Sequence, residues 1–296
     1  MPLPTVSILI PTHNRHRSLN DCIAACKRLQ YPQDLVEIVV IDDGSIPPVV
    51  LADGVRLFRQ DQRGPAAARN AAIAKASGEF LVFTDDDCEP SPAWLKELIE
   101  IYLENPLAMV GGVTVNGLTD NAFASASQCL VDYVYIFFSA RADSFRFFTS
   151  NNMGGAASEL RRLGGFDESF PLPAAEDRDL CERWGLLCLA PKAIVIHRHP
   201  LTLSRYWHQH LRYGRGAATL FQRRARRGTN RRLLRNHFYV GLLNAPFQNS
   251  SVNRPWAVLA LLLLSQIANA CGFAYEASWA AFRRRRSESS PPDTPA

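Results

Sequence analysis

The sequence has no acidic side chain between positions 183 and 275, although it is 296 residues long. That stretch carries 14 basic residues, whereas residues 1–182 carry 25 acidic and 15 basic ones. Only four of the 33 basic residues are lysine, so the basic stretch consists almost entirely of arginine. Opposite charge in two parts of one chain predicts different partners for the two parts.

The seven cysteines include no pair spaced as Cys-x-x-Cys. This absence disfavours a zinc ribbon and a thioredoxin motif, and the odd number disfavours a disulfide framework. We therefore predict reduced, buried thiols in a cytosolic compartment. No positive charge precedes Arg15 and no long apolar run occurs near the N-terminus. We therefore expect no secretory signal.

The known glycine-rich phosphate loops are also absent. There is no GxxxxGK[ST], and the nearest approach to GxGxxG, at residues 214–219, lacks the third glycine and lies in a basic helical stretch. A diphosphate bound by this chain is therefore expected to contact a metal ion and arginine instead of a glycine-rich loop.

Short apolar runs alternate with helical patterns along the chain. Strands are predicted at residues 5–10, 37–42, 55–58, 79–84, 108–115 and 194–196. Helices are predicted at residues 18–29, 65–76, 91–105, 158–163, 176–187 and 203–227. Segment 123–138 fits either a helix or a strand. The alternation predicts an α/β fold with an open, mostly parallel sheet and helices on both faces.

Polar clusters follow three of the predicted strands, at residues 12–15, 42–43 and 85–87. Ligands of such sheets bind beyond the carboxyl ends of the strands, so we expect the clusters to meet. Three consecutive aspartates repel one another unless a cation offsets their charge. Carboxylate oxygens suit Mg²⁺ or Mn²⁺, which typically bridge to phosphate oxygens. The alternative is a solvated turn that caps the next helix.

Five segments together resemble the family 2 glycosyltransferases of the GT-A fold, in content and in order. They are VSILIPTHNR (6–15), EIVVIDDGS (37–45), GPAAARNAAIAKASGEFLVFTDDD (64–87), GGFDE (164–168) and EDRDL (176–180). The resemblance covers about residues 4–215 and implies a GT-A type, Rossmann-like sheet. It also implies a nucleotide-sugar donor, a divalent metal, and inversion at the anomeric carbon by single displacement.

The resemblance further implies which residues contact the donor. They are Pro11, Thr12, Asn14, Arg15, Asp42, Asp43, Arg69, Asp85 and Asp86. Within this set, Asp42 is expected to read the nucleobase, and Arg69 is expected to contact the base or a phosphate. Asp85 is expected nearer the ribose.

The metal ligands implied by the resemblance are Asp87, Asp85 and His197. Asp87 is expected on the metal, although Asp86 carries the same group and the assignment stays open among the three aspartates. Because side chains alternate along a strand, we expect at most one of His197 and His199 to face the site. An ordinary surface role is the alternative for both histidines.

Asp177 resembles the general base of the family, and Glu176 beside it is expected to place the acceptor. An inverting transfer needs a base that takes the proton of the acceptor hydroxyl on the face opposite the leaving diphosphate. A position at a helix N-terminus is expected to hold this carboxylate and to lower its basicity. Simple helix capping is the alternative.

Ten arginines lie between Ser204 and Arg235, interleaved with aromatic residues. A nucleic acid, an anionic membrane surface and a solvated helix face are the three interpretations. Residues 255–275 carry no charge and, at about 1.5 Å per residue, are long enough to cross a hydrocarbon core. This favours membrane association, in the plane or re-entrant, over a single span, and a buried helix of a soluble protein is the third alternative. We expect no nucleic acid.

We therefore predict four segments: a glycosyltransferase domain (1–215), a basic helical linker (216–254), an apolar membrane-associated segment (255–282) and a disordered tail (283–296). The leading hypothesis is an inverting glycosyltransferase at the cytoplasmic face of the membrane. Its acceptor is expected to be a saccharide or lipid-linked precursor of the cell envelope. A nucleotidyltransferase is one alternative, disfavoured because the loop after the first strand lacks glycine. A non-catalytic nucleotide-sugar-binding protein is the other.

Overall fold

The computed structural model describes residues 2–51, 54–139, 147–170, 174–229 and 236–288. Its strands are β1 (Val6–Thr12), β2 (Val36–Asp43), β3 (Arg56–Gln60), β4 (Phe80–Phe83), β5 (Cys88–Pro90), β6 (Met109–Asn116), β7 (Met153–Ala156) and β8 (Leu187–His197). Its helices are α1 (His16–Cys26), α2 (Pro65–Lys75), α3 (Trp94–Glu104), α4 (Ala122–Ser139), α5 (Ala157–Arg162), α6 (Glu176–Trp184), α7 (Leu203–Arg226), α8 (Asn236–Gln248) and α9 (Pro255–Glu288). A 3₁₀ turn, Gln33–Leu35, precedes β2.

The strands form one eight-stranded sheet in the order β3-β2-β1-β4-β7-β6-β8-β5. The pairs β1–β2, β1–β4, β2–β3 and β6–β8 are parallel. Only β7 and β5 run against their neighbours. The predicted open, mostly parallel sheet is therefore confirmed, and the two antiparallel strands were not predicted.

The two faces of the sheet are both covered by apolar side chains. Ile8 and Ile10 of β1 belong to the core cluster beneath α1 and α3, whereas Leu9 between them belongs to the cluster on the opposite face, with α2. All three are completely buried. Because side chains alternate along a strand, a continuous apolar run is what a strand covered on both faces requires.

Helix α2 begins at Pro65, whose fixed φ suits the first helical position. Its alanines Ala68 and Ala72 are fully buried against the sheet, so the helix lies close to β1 and β2. This close approach brings Arg69, on the same helix, into the interior at the carboxyl end of the strands.

The segment that fitted either a helix or a strand is helix α4. It packs against α8 and α9. The hydroxyl of Tyr133 donates to the carbonyl oxygen of Phe238 at 2.7 Å, and Asn249 Nδ2 donates to Asp132 at 3.0 Å. The C-terminal helices are thus attached to the sheet domain through α4.

Helix α7 packs along α9 at positions where both helices carry glycine. A Cβ added to Gly214 would lie 2.0 Å from the carbonyl oxygen of Asn269, and one added to Gly272 would lie 2.0 Å from that of Leu211. On its other side, a Cβ at Gly216 would lie 2.2 Å from the carbonyl oxygen of Ala174. Helix α7 is therefore in backbone contact both with α9 and with the loop before α6.

Residues 255–280, within α9, form the one helix in the described ranges that is long and apolar enough to cross a membrane. Helix α7 runs unbroken across position 215, where we predicted a boundary, and α9 continues past position 282 to Glu288. Residues 289–296 of the predicted disordered tail lie outside the described residues.

Candidate active site

The carboxyl ends of β1, β2 and β4 open into one cleft of about 1070 Å³, which α4, α6 and α7 close from the other side. Twelve of the predicted site residues line it. They are Pro11, Thr12, Asn14, Arg15, Asp43, Arg69, Asp85, Asp86, Asp87, Glu176, Asp177 and His197. The structure therefore brings the predicted residues together, and their chemical roles stay predictions.

Asn14 holds the loops after β1 and β2 together. Its φ of 56° is in the left-handed region, which asparagine tolerates better than most residues. Its backbone N–H donates to Ser45 Oγ at 2.8 Å, and its side-chain oxygen accepts from the N–H of Ile46 at 2.7 Å. The neighbouring His13 ring bonds through Nδ1 to the carbonyl oxygen of Asp43 at 2.7 Å.

Asp42 is the predicted site residue that does not line the cleft. Its carboxylate accepts hydrogen bonds from the N–H groups of Ser45 (2.8 Å) and Val49 (3.2 Å) and from Arg59 (2.7 Å). Burial acts to raise its pKa, but these hydrogen bonds and the Arg59 charge lower it below the usual value. Its contacts therefore hold the loop after β2, and base recognition by Asp42 stays a prediction.

Asp43, the next residue, points to the cleft side. It accepts from the N–H groups of Arg63 at 2.9 Å and Gly64 at 2.8 Å, and from Gln60 Nε2 at 2.7 Å. These bonds fix the loop that leads into α2. Of the two adjacent aspartates, Asp43 is the one that lines the cleft.

Arg69 connects the two acidic clusters of the site. Its guanidinium, only 5% exposed, contacts Asp85 through Nη2 at 2.7 Å and Glu176 through Nη1 at 3.5 Å. It also lies over the Phe166 ring, 5.5 Å from the centroid. One side chain therefore spans from the aspartates after β4 to the start of α6.

Asp86 is buried and paired. It accepts from Thr12 Oγ1 at 2.6 Å and from Arg15 at 3.0 Å. Burial raises its pKa to about 6, since desolvation outweighs the charge of Arg15.

Asp87 lies between the guanidinium of Arg15 and two imidazoles. His197 Nε2 and His199 Nδ1 each lie 3.2 Å from one of its carboxylate oxygens. Burial would raise its pKa, but the hydrogen bonds from both histidines and the charges of His197 and Arg15 hold it well below the usual range. Burial would lower the pKa of His197, but its hydrogen bond to Asp87 and the charge of that carboxylate raise it above the usual value.

The prediction that at most one of the two histidines faces the site is wrong. Alternation along an extended chain places residues two positions apart on the same side, so His197 at the end of β8 and His199 just after it both face the site. The N–H of Arg198 donates to the carbonyl oxygen of Asp87 at 2.8 Å, which holds this segment beside Asp87. The imidazole rings stack with centroids 5.2 Å apart.

A divalent metal ion fits this corner of the cleft by its donor atoms. Ligand atoms of Asp87, Cys88 and His197 all lie within 4.8 Å of one another. Carboxylate and imidazole suit Mn²⁺, whereas burial raises the pKa of the Cys88 thiol well above the usual range and keeps it a protonated, poor ligand. Asp85, the other predicted ligand, is held by Arg69 instead.

The start of α6 presents two carboxylates of different accessibility. Ala175, with φ of 73°, turns the chain into the helix. Glu176 is 5% exposed, and burial, followed by the charge of Asp177, raises its pKa to about 7. Asp177 is half-buried on the cleft wall and accepts from the N–H of Arg178 at 2.7 Å. Its enclosed position raises its pKa, so the expected lowering of basicity at the helix N-terminus is outweighed by desolvation.

Sequence reasoning missed the cleft-facing side of α7. This side includes Arg205, His208, Gln209 and Arg212, which line the same cleft as Arg178 of α6. Gln209 Oε1 lies 3.2 Å from His199 Nε2 and joins α7 to the Asp87 corner. Polar residues at i, i+3, i+4 and i+7 were the available signal, since they lie on one side of a helix.

A model of the family described as glycosyl transferase family 2 matches residues 7–162, more than half of the chain. The pre-mycofactocin glycosyltransferase of Mycobacterium tuberculosis is 28% identical over 231 residues, which is 73% of this chain and 47% of that protein. The probable glycosyltransferase YdaM of Bacillus subtilis is 26% identical over 239 residues, 72% of this chain and 55% of that protein. The chain spans about half the length of the curated relatives it matches.

Among solved structures, the mannosyltransferase PcManGT from Pyrobaculum calidifontis, in complex with GDP-Man and Mn²⁺, matches 98% of this chain and 82% of its own. The TM-score is 0.55 at 19% identity, which shows a shared fold. The predicted GT-A type fold is thereby confirmed. Because the family model covers more than half of the sequence, the chain belongs to glycosyl transferase family 2.

Proposed function

We propose that the protein is an inverting glycosyltransferase that moves a sugar from a nucleoside-diphosphate sugar to an acceptor hydroxyl. One observation carries this proposal: the Arg69 guanidinium contacts both Asp85, in the donor cluster, and Glu176, beside the proposed base. One side chain therefore bridges the proposed donor site and the proposed acceptor site, and a single displacement requires the two substrates to be this close.

The donor end of the cleft is formed by the ends of β1 and β4. Thr12 and Arg15 orient the carboxylates of Asp86 and Asp87, so that these face the cleft in fixed positions. Mg²⁺ or Mn²⁺, when bound, neutralises charge on the leaving diphosphate. Asp87 and His197 would hold the ion, joined by His199.

The acceptor end is formed by the start of α6. Asp177 is the accessible carboxylate, and its raised pKa makes it a better proton acceptor than an ordinary aspartate. Glu176, with a pKa of about 7, keeps its proton in part of the molecules at neutral pH. We assign Asp177 the role of base and Glu176 the placement of the acceptor hydroxyl through a hydrogen bond.

We further infer that the protein lies on a membrane surface through α9, at the cytoplasmic side. One face of α9 packs on α7, where Glu276 is buried in an ion pair with Arg215. The opposite face exposes Trp256 (73%) and Ile267 (57%) among other apolar residues. A helix with one face committed to protein and the other apolar fits an in-plane arrangement better than a span. We propose residues 255–282 as the segment that binds the membrane. A position at the membrane surface favours a lipid-linked or cell-envelope acceptor.

A panel of UDP-, GDP- and dTDP-sugars tests the donor proposal by thermal shift, with and without Mn²⁺. A donor at one hundred times its Kd stabilises the fold by about 2.7 kcal/mol, which raises Tm by about 5 °C. We expect one nucleotide class to do so only with the metal. Stabilisation and consumption of a nucleoside triphosphate, with none by a nucleotide sugar, would instead establish a nucleotidyltransferase.

Flotation of the full chain with vesicles of phosphatidylcholine and phosphatidylglycerol tests the membrane proposal. Ile267→Glu places a charge on the exposed face of α9 and is expected to release the protein from the vesicles. Leu107→Glu is the matched control, because Leu107 is 81% exposed in the turn between α3 and β6. Equal flotation of both variants would reject α9 as the membrane-binding element.

A further inference from the structure

The arginines that line the cleft are of two kinds. Six arginines line it, and three have acidic partners: Arg15 with Asp86 and Asp87, Arg69 with Asp85 and Glu176, and Arg198 with Glu89. For the other three, Arg178, Arg205 and Arg212, no carboxylate among the described residues lies within ion-pair distance. A cluster of unpaired positive charge in a cleft attracts an anion from outside the chain.

Most arginines of α7 that lie outside the cleft do have acidic partners. Away from the cleft, three of its four arginines pair with acidic side chains of other elements. These pairs are Arg215 with Glu276, Arg223 with Asp167, and Arg224 with Glu182. Arg227, just past the end of the helix, pairs with Asp179. Of the arginines of α7 that lack an acidic partner among the described residues, Arg205 and Arg212 face the cleft, whereas Arg226 lies outside it.

The cleft-facing arginines of α7 are held on a rigid support. Arg205 and Arg212 are seven residues apart, so they lie on one side of the helix, about 10.5 Å apart along its axis. Thr202 caps the helix by accepting from the N–H of Arg205 at 3.4 Å, and Tyr206 donates to the carbonyl oxygen of Leu261 at 2.9 Å. The two guanidinium groups therefore project from a fixed backbone.

This basic side borders the acceptor end of the cleft. Tyr213, next to Arg212, lines the same cleft as Asp177, and desolvation followed by the charge of Asp177 raises its pKa. Arg178 follows Asp177 directly in α6 and lies over the Phe147 ring at 4.4 Å. The donor end already has positive charge from Arg15, and from the metal ion if one binds at Asp87.

We propose that Arg205 and Arg212 of α7, with Arg178 of α6, form a subsite for a phosphate group carried by the acceptor. The inference rests on the proposed glycosyltransferase function and specifies its acceptor as a phosphate monoester or diphosphate. Such a group occurs both on lipid-linked carriers and on soluble sugar phosphates. Helix α9 packs on α7 through one face and exposes apolar side chains on the opposite face, which is compatible with either source.

Binding measured by calorimetry at fixed ionic strength tests the subsite. The probes are farnesyl phosphate and glucose 1-phosphate, each with its neutral counterpart, farnesol and glucose. We expect the protein to bind at least one phosphate probe about tenfold more tightly than the neutral compound. Farnesyl phosphate alone indicates a lipid carrier, and glucose 1-phosphate alone indicates a soluble acceptor. Equal binding of charged and neutral probes would reject the subsite.

The double variant Arg205→Gln/Arg212→Gln is expected to lose about tenfold in affinity for the phosphate probe. Arg226→Gln, on the same helix but outside the cleft, is the matched control and should stay within about twofold. Both substitutions replace exposed side chains, so the Tm of each variant should match that of the parent. Unchanged phosphate affinity in the double variant would overturn the assignment.

The affinity for GDP and UDP in the presence of Mn²⁺ separates acceptor from donor. We expect it to change less than about twofold in the double variant, because the donor cations lie elsewhere. A loss of nucleoside diphosphate affinity, with phosphate probe binding intact, would assign these arginines to the donor and overturn the proposal. If no nucleotide binds the parent protein, the proposed function fails, whereas the comparison of phosphate with neutral probes still reports on the subsite.

Discussion

The acidic sheet region and the basic α7 use their charge in different ways. In the sheet region, the carboxylates of the site gather at strand ends, where arginines and histidines hold them. In α7, three arginines on the outer sides pair with acidic residues of the same chain, whereas the two on the cleft side have no such partner among the described residues. Part of the positive charge that predicts a membrane anchor is thus complementary to the protein itself. A net charge summed over a segment does not reveal which partner the segment binds.

The largest effect is expected in the acidic region, on the rate of sugar transfer. Asp177→Asn removes the proposed base while keeping the shape of the side chain, so transfer should fall by about 10²–10⁴. Donor binding with Mn²⁺ should be unchanged, because the base acts on the acceptor.

Asp120→Asn is the matched control, since Asp120 is exposed and does not line the cleft. Initial rates of sugar transfer and donor affinity are the measurements. Turnover of the Asp177 variant within about threefold of the parent would reject the base assignment.

The next largest effect is expected in α7. His210 is fully buried between the Tyr206 and Tyr213 rings, and burial lowers its pKa to about 4. In the unfolded chain the imidazole takes up a proton near pH 6.5, whereas in the folded protein it does so only near pH 4. The stability that depends on neutral His210 is therefore fully present above pH 6.5 and is lost as the pH falls towards 4. The loss is about 3 kcal/mol at pH 4.

His210→Leu should remove this part of the acid sensitivity, whereas His208→Leu, at an exposed position of the same helix, should not. Urea unfolding at pH 7 and at pH 4.5 measures the difference. An equal loss of unfolding free energy in parent and His210 variant would show that His210 is not the responsible group.

A smaller effect is expected at the metal corner. Asp87→Asn should weaken Mn²⁺-dependent binding of the nucleotide by about 10- to 100-fold, because it removes the carboxylate that both histidines contact. Titration of GDP or UDP at several Mn²⁺ concentrations is the measurement. Unchanged dependence on the metal would mean that Asp87 does not bind it.

The smallest effect is expected at the contact between the two charged regions. Arg224→Gln removes the partly exposed ion pair with Glu182 and should lower the unfolding free energy by about 1 kcal/mol, less at high salt. Arg226→Gln should change it by much less. Equal, negligible losses for both variants would indicate that pairing does not attach α7 to the acidic region.

The strands β1, β2 and β4 could be predicted from the sequence because each is a short apolar run that can be recognised without knowledge of its neighbours in the sheet. The Asp85–Asp87 cluster was predictable for the same reason, since it directly follows such a run. Strand β7 was missed, because Met153–Ala156 is only four residues long and contains two glycines. It is a strand because β4 and β6 pair with it.

The site was predictable as a set but not in its contacts. The ion pair of Arg69 with Glu176 joins residues far apart in the chain, so no local sequence pattern predicts it. The contact of His197 and His199 with Asp87 depends on the pairing of β8 with β5, which begins directly after Asp87 in the chain. Which of Asp42 and Asp43 faces the cleft depends on the loop that each one holds.

The glycines Gly214, Gly216 and Gly272 let α7 pack closely against both α9 and the loop before α6. A side chain at Gly214 or Gly272 would push on the backbone of the partner helix, and one at Gly216 would push on Ala174, three residues before the proposed base. The face that we assign to the membrane and the loop that we assign to the acceptor therefore cannot be redesigned, or evolve, independently of each other.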